Sequence, residues 1–181
     1  MKHTRPIPLR LSLIFAFAAA VSVSALAPAP VSAQGIKRLG DFDDWSAFQF
    51  TENGNKACYM ASQPKKAEGK YKKRGDVYAI VTHRPGEKLR DEVSILAGYS
   101  YKKDSEVRVI IGKKTYELFT QGDGAWAKDK KSDKILVKAM IKGSSMMVKG
   151  MSARGTKTTD TYSLKGFTNA YAAIGKACGI K

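Results

Sequence analysis

Val107-Arg108-Val109-Ile110-Ile111-Gly112-Lys113-Lys114-Thr115-Tyr116-Glu117-Leu118-Phe119-Thr120 decides the fold class. Two runs rich in β-branched and aromatic residues flank a glycine-led turn, which reads as a β-hairpin. The same grammar extends in both directions. Upstream, Trp45 to Phe50 and Lys56 to Ser62 flank Asn53-Gly54, a dipeptide suited to the positive φ angles of a tight turn. Asp76 to His83 and Glu92 to Tyr99 are two further strands, and Arg84-Pro85-Gly86 ends the first of them. Downstream, Gly122-Asp123-Gly124 turns into a short strand around Trp126. Ser145 to Ser152 and Thr156 to Leu164 are strands joined by a turn at Ala153-Arg154-Gly155. In the last strand Thr158, Asp160, Tyr162 and Leu164 share one face, and Thr159, Thr161 and Ser163 the other.

Two stretches change the period. Ile135, Leu136, Ala139 and Met140 recur at helical spacing, with Ser132 or Asp133 as N-cap and Gly143 as terminator. They predict a short helix near 133–142. Phe167, Ala170, Tyr171, Ile174 and Cys178 form one continuous stripe, which predicts a C-terminal helix near 167–177. The expected fold is therefore mainly β: an antiparallel β-sandwich or rolled sheet of about eight strands, with two small helices.

The start of the chain reads differently. Lys2, Arg5 and Arg10 precede an uncharged apolar run from Leu11 to Ala27, and Val31-Ser32-Ala33 fits a small-x-small cleavage site. Residues 1–33 are expected to be a secretory signal peptide and residues 34–181 a single β domain. The competing reading is an uncleaved anchor, and Ala25-Leu26-Ala27 is a second possible cleavage site. No later stretch is long and apolar enough to span a bilayer. Export places the protein in the periplasm, with outer-membrane association or secretion as variants.

An exported chain meets oxidising conditions, and the only two cysteines are Cys58 and Cys178. A disulfide between them is the default expectation, with two buried free thiols as the alternative. Such a bond would close a loop worth about 4–5 kcal/mol in the chain-entropy picture.

The whole chain carries 32 Lys and Arg against 16 Asp and Glu, a net charge of +16, with 43% hydrophobic residues. That apolar content excludes a wholly disordered chain. The sharpest concentration of charge runs from Pro64 to Gly75. Lys65, Lys66, Lys70, Lys72, Lys73 and Arg74 stand there against Glu68 alone, with Tyr71 among them. These six cations are the expected ligand contact, for an anionic envelope component or a protein partner. The plainer alternative is a solvated loop with no dedicated ligand. Export and the lack of a recognisable DNA- or RNA-binding module argue against nucleic acid.

Catalytic signals are weak. His83 is the only histidine outside the leader, and at a strand end it reads as a polar edge residue. No Gly-x-Ser-x-Gly, Cys-x-x-Cys, phosphate loop or calcium loop is present. Asp43 and Asp44 read as turn residues before Trp45. Met140, Met146, Met147 and Met151 read as core filling rather than a copper set. No catalytic residue, metal site or cofactor is expected. The alternative class is an enzyme acting on the cell wall through a carboxylate pair.

Asp43-Asp44-Trp45, Cys58-Tyr59-Met60-Ala61-Ser62-Gln63-Pro64-Lys65, Ser152-Ala153-Arg154-Gly155-Thr156 and Asp160-Thr161-Tyr162-Ser163-Leu164-Lys165-Gly166-Phe167, with the terminal Cys178, form an ordered set. In that order and spacing the chain resembles the invasion-associated locus B family of exported bacterial proteins, over residues 40–179. The resemblance implies a mostly β envelope domain with no established catalytic role and no known cofactor. It implies no functional residue by position. The expected function is that of an exported, non-enzymatic binding protein of the cell envelope, with host interaction or invasion as the role the family name suggests.

Peptide mapping of the exported protein without reductant is expected to recover one linked peptide pair containing Cys58 and Cys178. Two alkylatable thiols would refute the bond.

Overall fold

The computed structural model describes residues 35–180. The expected signal peptide at 1–33 and its cleavage site lie outside the described residues.

Alternation builds the strands as expected. Along Glu106–Ile111, Val107, Val109 and Ile111 are buried while Glu106 and Arg108 face solvent. The strands in chain order are β1 (Lys37–Phe42), β2 (Trp45–Glu52), β3 (Asn55–Ser62), β4 (Lys66–Gly69), β5 (Tyr78–Arg84) and β6 (Leu89–Leu96). They continue with β7 (Glu106–Ile111), β8 (Lys114–Gln121), β9 (Gly124–Trp126), β10 (Ser145–Met151) and β11 (Lys157–Ser163). Helix α1 (Lys130–Lys142) lies between β9 and β10, and α2 (Phe167–Cys178) follows β11.

All strands form one antiparallel sheet in the order β1-β2-β3-β5-β6-β9-β8-β7-β10-β11-β4. The chain runs from β3 through Gln63–Lys65 directly into β4, at the far edge. That short connection rolls the sheet, because β3 and β11 must come close. Across the seam the Lys65 N–H donates to the Thr161 carbonyl at 2.8 Å, and Trp45 Nε1 donates to the Ser163 carbonyl at 3.0 Å. Of the two architectures expected, the rolled sheet is the one observed.

Eleven strands stand where about eight were expected. The additions include β1 and β4, the two edges of the sheet. Edge strands pair on one side only and face water, so their sequences need no apolar alternation. All four residues of β4 are exposed.

The helices pack on the sheet through the faces their sequences dictate, with one rotation. In α2, Phe167, Ala170, Ile174 and Cys178 are buried, and Trp45 meets Phe167 edge-on at 4.9 Å. Cys178 is bonded to Cys58 on β3, with Cα atoms 6.0 Å apart. Gly166, just before α2, has φ 83°, and a Cβ there would lie 1.8 Å from the Phe42 carbonyl oxygen. Only glycine lets the chain pass that close.

Helix α1 begins earlier than expected, and its cap is neither Ser132 nor Asp133. The Asp129 carboxylate accepts the Ser132 N–H at 2.7 Å. Asp133 turns inward instead and accepts the Val93 N–H of β6 at 2.9 Å. The buried stripe is therefore Asp133, Leu136, Val137 and Met140, and Ile135 is left 47% exposed. Met140 and Met146 are core residues, as expected.

His83 is not a polar edge residue. It is fully buried beneath α2, 5.5 Å from the Tyr171 ring. Its Nδ1 accepts the Asp91 N–H at 3.1 Å, and the Tyr171 hydroxyl donates to the Asp91 carboxylate. Burial pushes the imidazole below its ordinary value of 6.5, against the pull of Asp91 and together with Arg90.

The unfolded chain therefore takes up a proton below about pH 6.5 that the folded chain resists, and His83 lowers stability as pH falls through that value. In urea denaturation against pH, His83→Gln is expected to lose stability less steeply on the acid side than the native protein. Equal slopes would contradict a buried neutral imidazole.

Candidate functional site

The segment between β4 and β5 lies across the end of the sheet, anchored by Arg74. Its guanidinium makes two parallel bonds to the Asp160 carboxylate on β11, at 2.6 and 2.7 Å. Its Nε donates to the Ala97 carbonyl after β6 at 2.6 Å. Both side chains are buried, 5% and 3% exposed. The Tyr71 and Tyr99 rings flank the guanidinium at 5.5 and 5.0 Å. Burial works against the Arg74 charge, but the bonds and charge of Asp160 outweigh it and hold its pKa above the usual arginine value.

A second contact fixes the same segment. The Gly75 N–H donates to the Gly98 carbonyl at 2.9 Å. Gly98 has φ 68°, and a Cβ on it would lie 2.4 Å from the Gly75 carbonyl oxygen. Backbone thus lies on backbone with no room for a side chain.

Between this anchored segment and the turn at Ala153–Gly155 opens a cleft of about 780 Å³. Lys70, Lys72, Lys73 and Arg154 line it. Among the described residues none of these four has an ion-pair or hydrogen-bond partner. The uncharged lining includes Ser100, Ser152, Thr156 and Thr158. The Tyr99 hydroxyl and Thr158 Oγ1 share a 2.6 Å hydrogen bond, and burial pushes the Tyr99 phenol up, so it stays neutral. No carboxylate lines the cleft.

The structure divides the six cations expected as the ligand contact. Lys70, Lys72 and Lys73 are brought together around the cleft with open ammonium groups. Arg74 also lines it, but its charge is neutralised by Asp160. Lys65 pairs with Asp44, and Lys66 with Glu68 at 2.8 Å. Neither of these two lines the cleft. The residue that sequence reasoning missed is Arg154. It was legible as a turn cation, but nothing in the sequence sets that turn against Lys70–Lys73.

A family model described as invasion associated locus B (IalB) protein matches residues 45–175. The chain belongs to the invasion associated locus B family. The matched span of this locus B domain takes in the rolled sheet from β2 onward, both sides of the cleft and most of α2. A solved structure of invasion associated protein b from Bartonella henselae has a TM-score of 0.53 to it at 19% identity, covering 76% of this chain and 97% of that one. At that identity the likeness is one of fold. No curated protein matches.

Removing one partner of a buried ion pair leaves the other charge without compensation. Asp160→Ala is expected to cost about 3–5 kcal/mol in urea denaturation. The double variant Arg74→Met/Asp160→Leu is expected to recover much of that loss. A single-variant cost no greater than that of an exposed pair would place the contact in solvent.

Proposed function

We propose that the protein is an exported, non-enzymatic binding protein of the cell envelope, and that its basic cleft takes an anionic envelope component. The observation that carries this reading is the set of four unpartnered cations, Lys70, Lys72, Lys73 and Arg154, converging on one cleft. Like charges held together without acids repel one another, and an anion between them relieves that repulsion. The segment is also preorganised. Arg74 and Gly75 hold it in place before any ligand arrives, which lowers the entropy cost of binding.

Several observations support the proposed compartment. The disulfide fits an oxidising environment. Among the described residues no helix is long and apolar enough to cross a membrane. The leader-like start of the sequence supports the periplasm, with attachment to the outer membrane or release beyond it as variants. The family and the Bartonella henselae protein of similar fold are both named for invasion. A link to host interaction is part of this proposal if the protein is displayed outside the cell. Cell-wall chemistry by paired carboxylates is the other class, and this cleft offers it no acid.

Cosedimentation with native cell envelopes tests the reading. Binding is expected to weaken steeply as salt rises past the physiological range. The variant K70E/K72E/K73E/R154E is expected to bind at least about tenfold more weakly, since each lost charge contact is worth a fraction of that factor and each reversal adds repulsion. Unchanged association would overturn the assignment.

A further inference from the structure

The basic cleft does not end at Arg154. A second depression of about 710 Å³ shares Lys70, Arg154 and Thr156 with it and adds Lys157. A third, of about 540 Å³, shares Lys157 with the second and adds Lys149 and Arg108. The three form a continuous path from the anchored segment across the outer face of β11, β10 and β7. Register fixes that path. Lys149 stands directly opposite Thr159 on β11 and opposite Arg108 on β7, and Lys157 lies two positions before Thr159 on the same face. Crossing β11, β10 and β7 adds about 10 Å at ordinary strand spacing.

Positive charge predominates along this path, although Glu68, paired with Lys66, stands opposite Thr159 on β4. Lys157, Lys149 and Arg108 are exposed, and none has an ion-pair or hydrogen-bond partner among the described residues. Glu106 is the one acid lining the path, and Glu117 stands across from Arg108 on β8 without closing an ion pair. Lys149 opposite Arg108 is a like-charged cross-strand pair, which disfavours the sheet on its own. A ligand with charges spaced along its length would turn this repulsion into attraction.

The lining also separates two kinds of polyanion. A single-stranded nucleic acid needs aromatic platforms for successive bases. No aromatic residue lines the second or third depression. The rings of Phe48, Tyr59, Tyr78 and Trp126 gather at a different groove, on β2, β3, β5 and β9. Tyr71 and Tyr99 line the first cleft, where Arg74 lies over their rings, but beyond Arg154 the cations are accompanied by hydroxyl groups, from Thr156 to Thr159 and Ser105. Cations and hydroxyls without rings along that extension suit a chain of acidic sugars.

We infer that the path from Lys70 to Arg108 binds a linear anionic glycan that runs across β11, β10 and β7. This rests on the anionic reading of the cleft and extends it from one headgroup to a chain. Sulfated heparin oligosaccharides, graded from tetrasaccharide to dodecasaccharide, are the probe, with oligothymidylate of equal charge beside them. Affinity measured by calorimetry is expected to rise with length by about tenfold or more as further charge pairs engage. R108E/K149E/K157E is expected to remove most of that gain, and the neutral R108Q/K149Q/K157Q part of it, with circular dichroism melting to confirm that both are folded. A full length gain in the folded triple variants would overturn the path while leaving the cleft reading intact. Unchanged binding of every oligosaccharide by K70E/K72E/K73E/R154E would overturn both. Tighter binding of the oligothymidylate than of the matched glycan would overturn the choice of ligand.

Discussion

The architecture turns on the buried contact between Arg74 and Asp160. These residues are 86 positions apart in sequence, Arg74 on the segment between β4 and β5 and Asp160 on β11. A buried ion pair is a poor source of net stability, since removing both charges from water offsets their attraction. Its value is directional. Two parallel bonds to one carboxylate are satisfied in one pose only, and the third bond, to the Ala97 carbonyl, fixes the end of β6 in the same arrangement. A strongly basic segment that would otherwise stay solvated thereby becomes one wall of a cleft.

The helices are tied to the same central strand by polar contacts as well as by packing. Asp133 of α1 accepts the Val93 N–H of β6, and Tyr171 of α2 donates to Asp91, also on β6. Burial pushes Asp133 up to about 6, opposite in sense to the shift at His83. As pH falls, Asp133 becomes easier to bury while His83 becomes harder, so the two groups oppose each other on the acid side. Apolar stripes decide that the helices lie on the sheet. These polar contacts decide where along it, and how each helix is turned.

Most of the β core was legible because its physics is local. The alternation in Val107–Thr120 and in Thr158–Leu164 names both the strand and its inner face, and the stripe from Phe167 to Cys178 names the helix and its cysteine. Edge strands were not legible, because β4 is wholly exposed and a bulge between Arg38 and Gly40 breaks the alternation of β1, whose Leu39 and Phe42 pack on the core. The turn of α1 was missed because Asp133 looks like a cap until the free N–H of Val93 is placed beside it. The site divides in the same way. Local charge marked Lys70, Lys72 and Lys73. That Arg74 is paired and Arg154 is present depends on contacts across the roll, which no local pattern encodes.

The disulfide has a consequence of a different kind. It joins a strand near the start of the described chain to its last helix, and the cleft and its extension across β7 and β10 lie within the loop that it closes. A protease cutting an exposed turn once between Cys58 and Cys178 would sever the backbone without separating the pieces. Both walls of the cleft would remain on one covalent object. In an extracytoplasmic setting rich in proteases, the single bond makes the domain a closed ring that one nick can open but not divide.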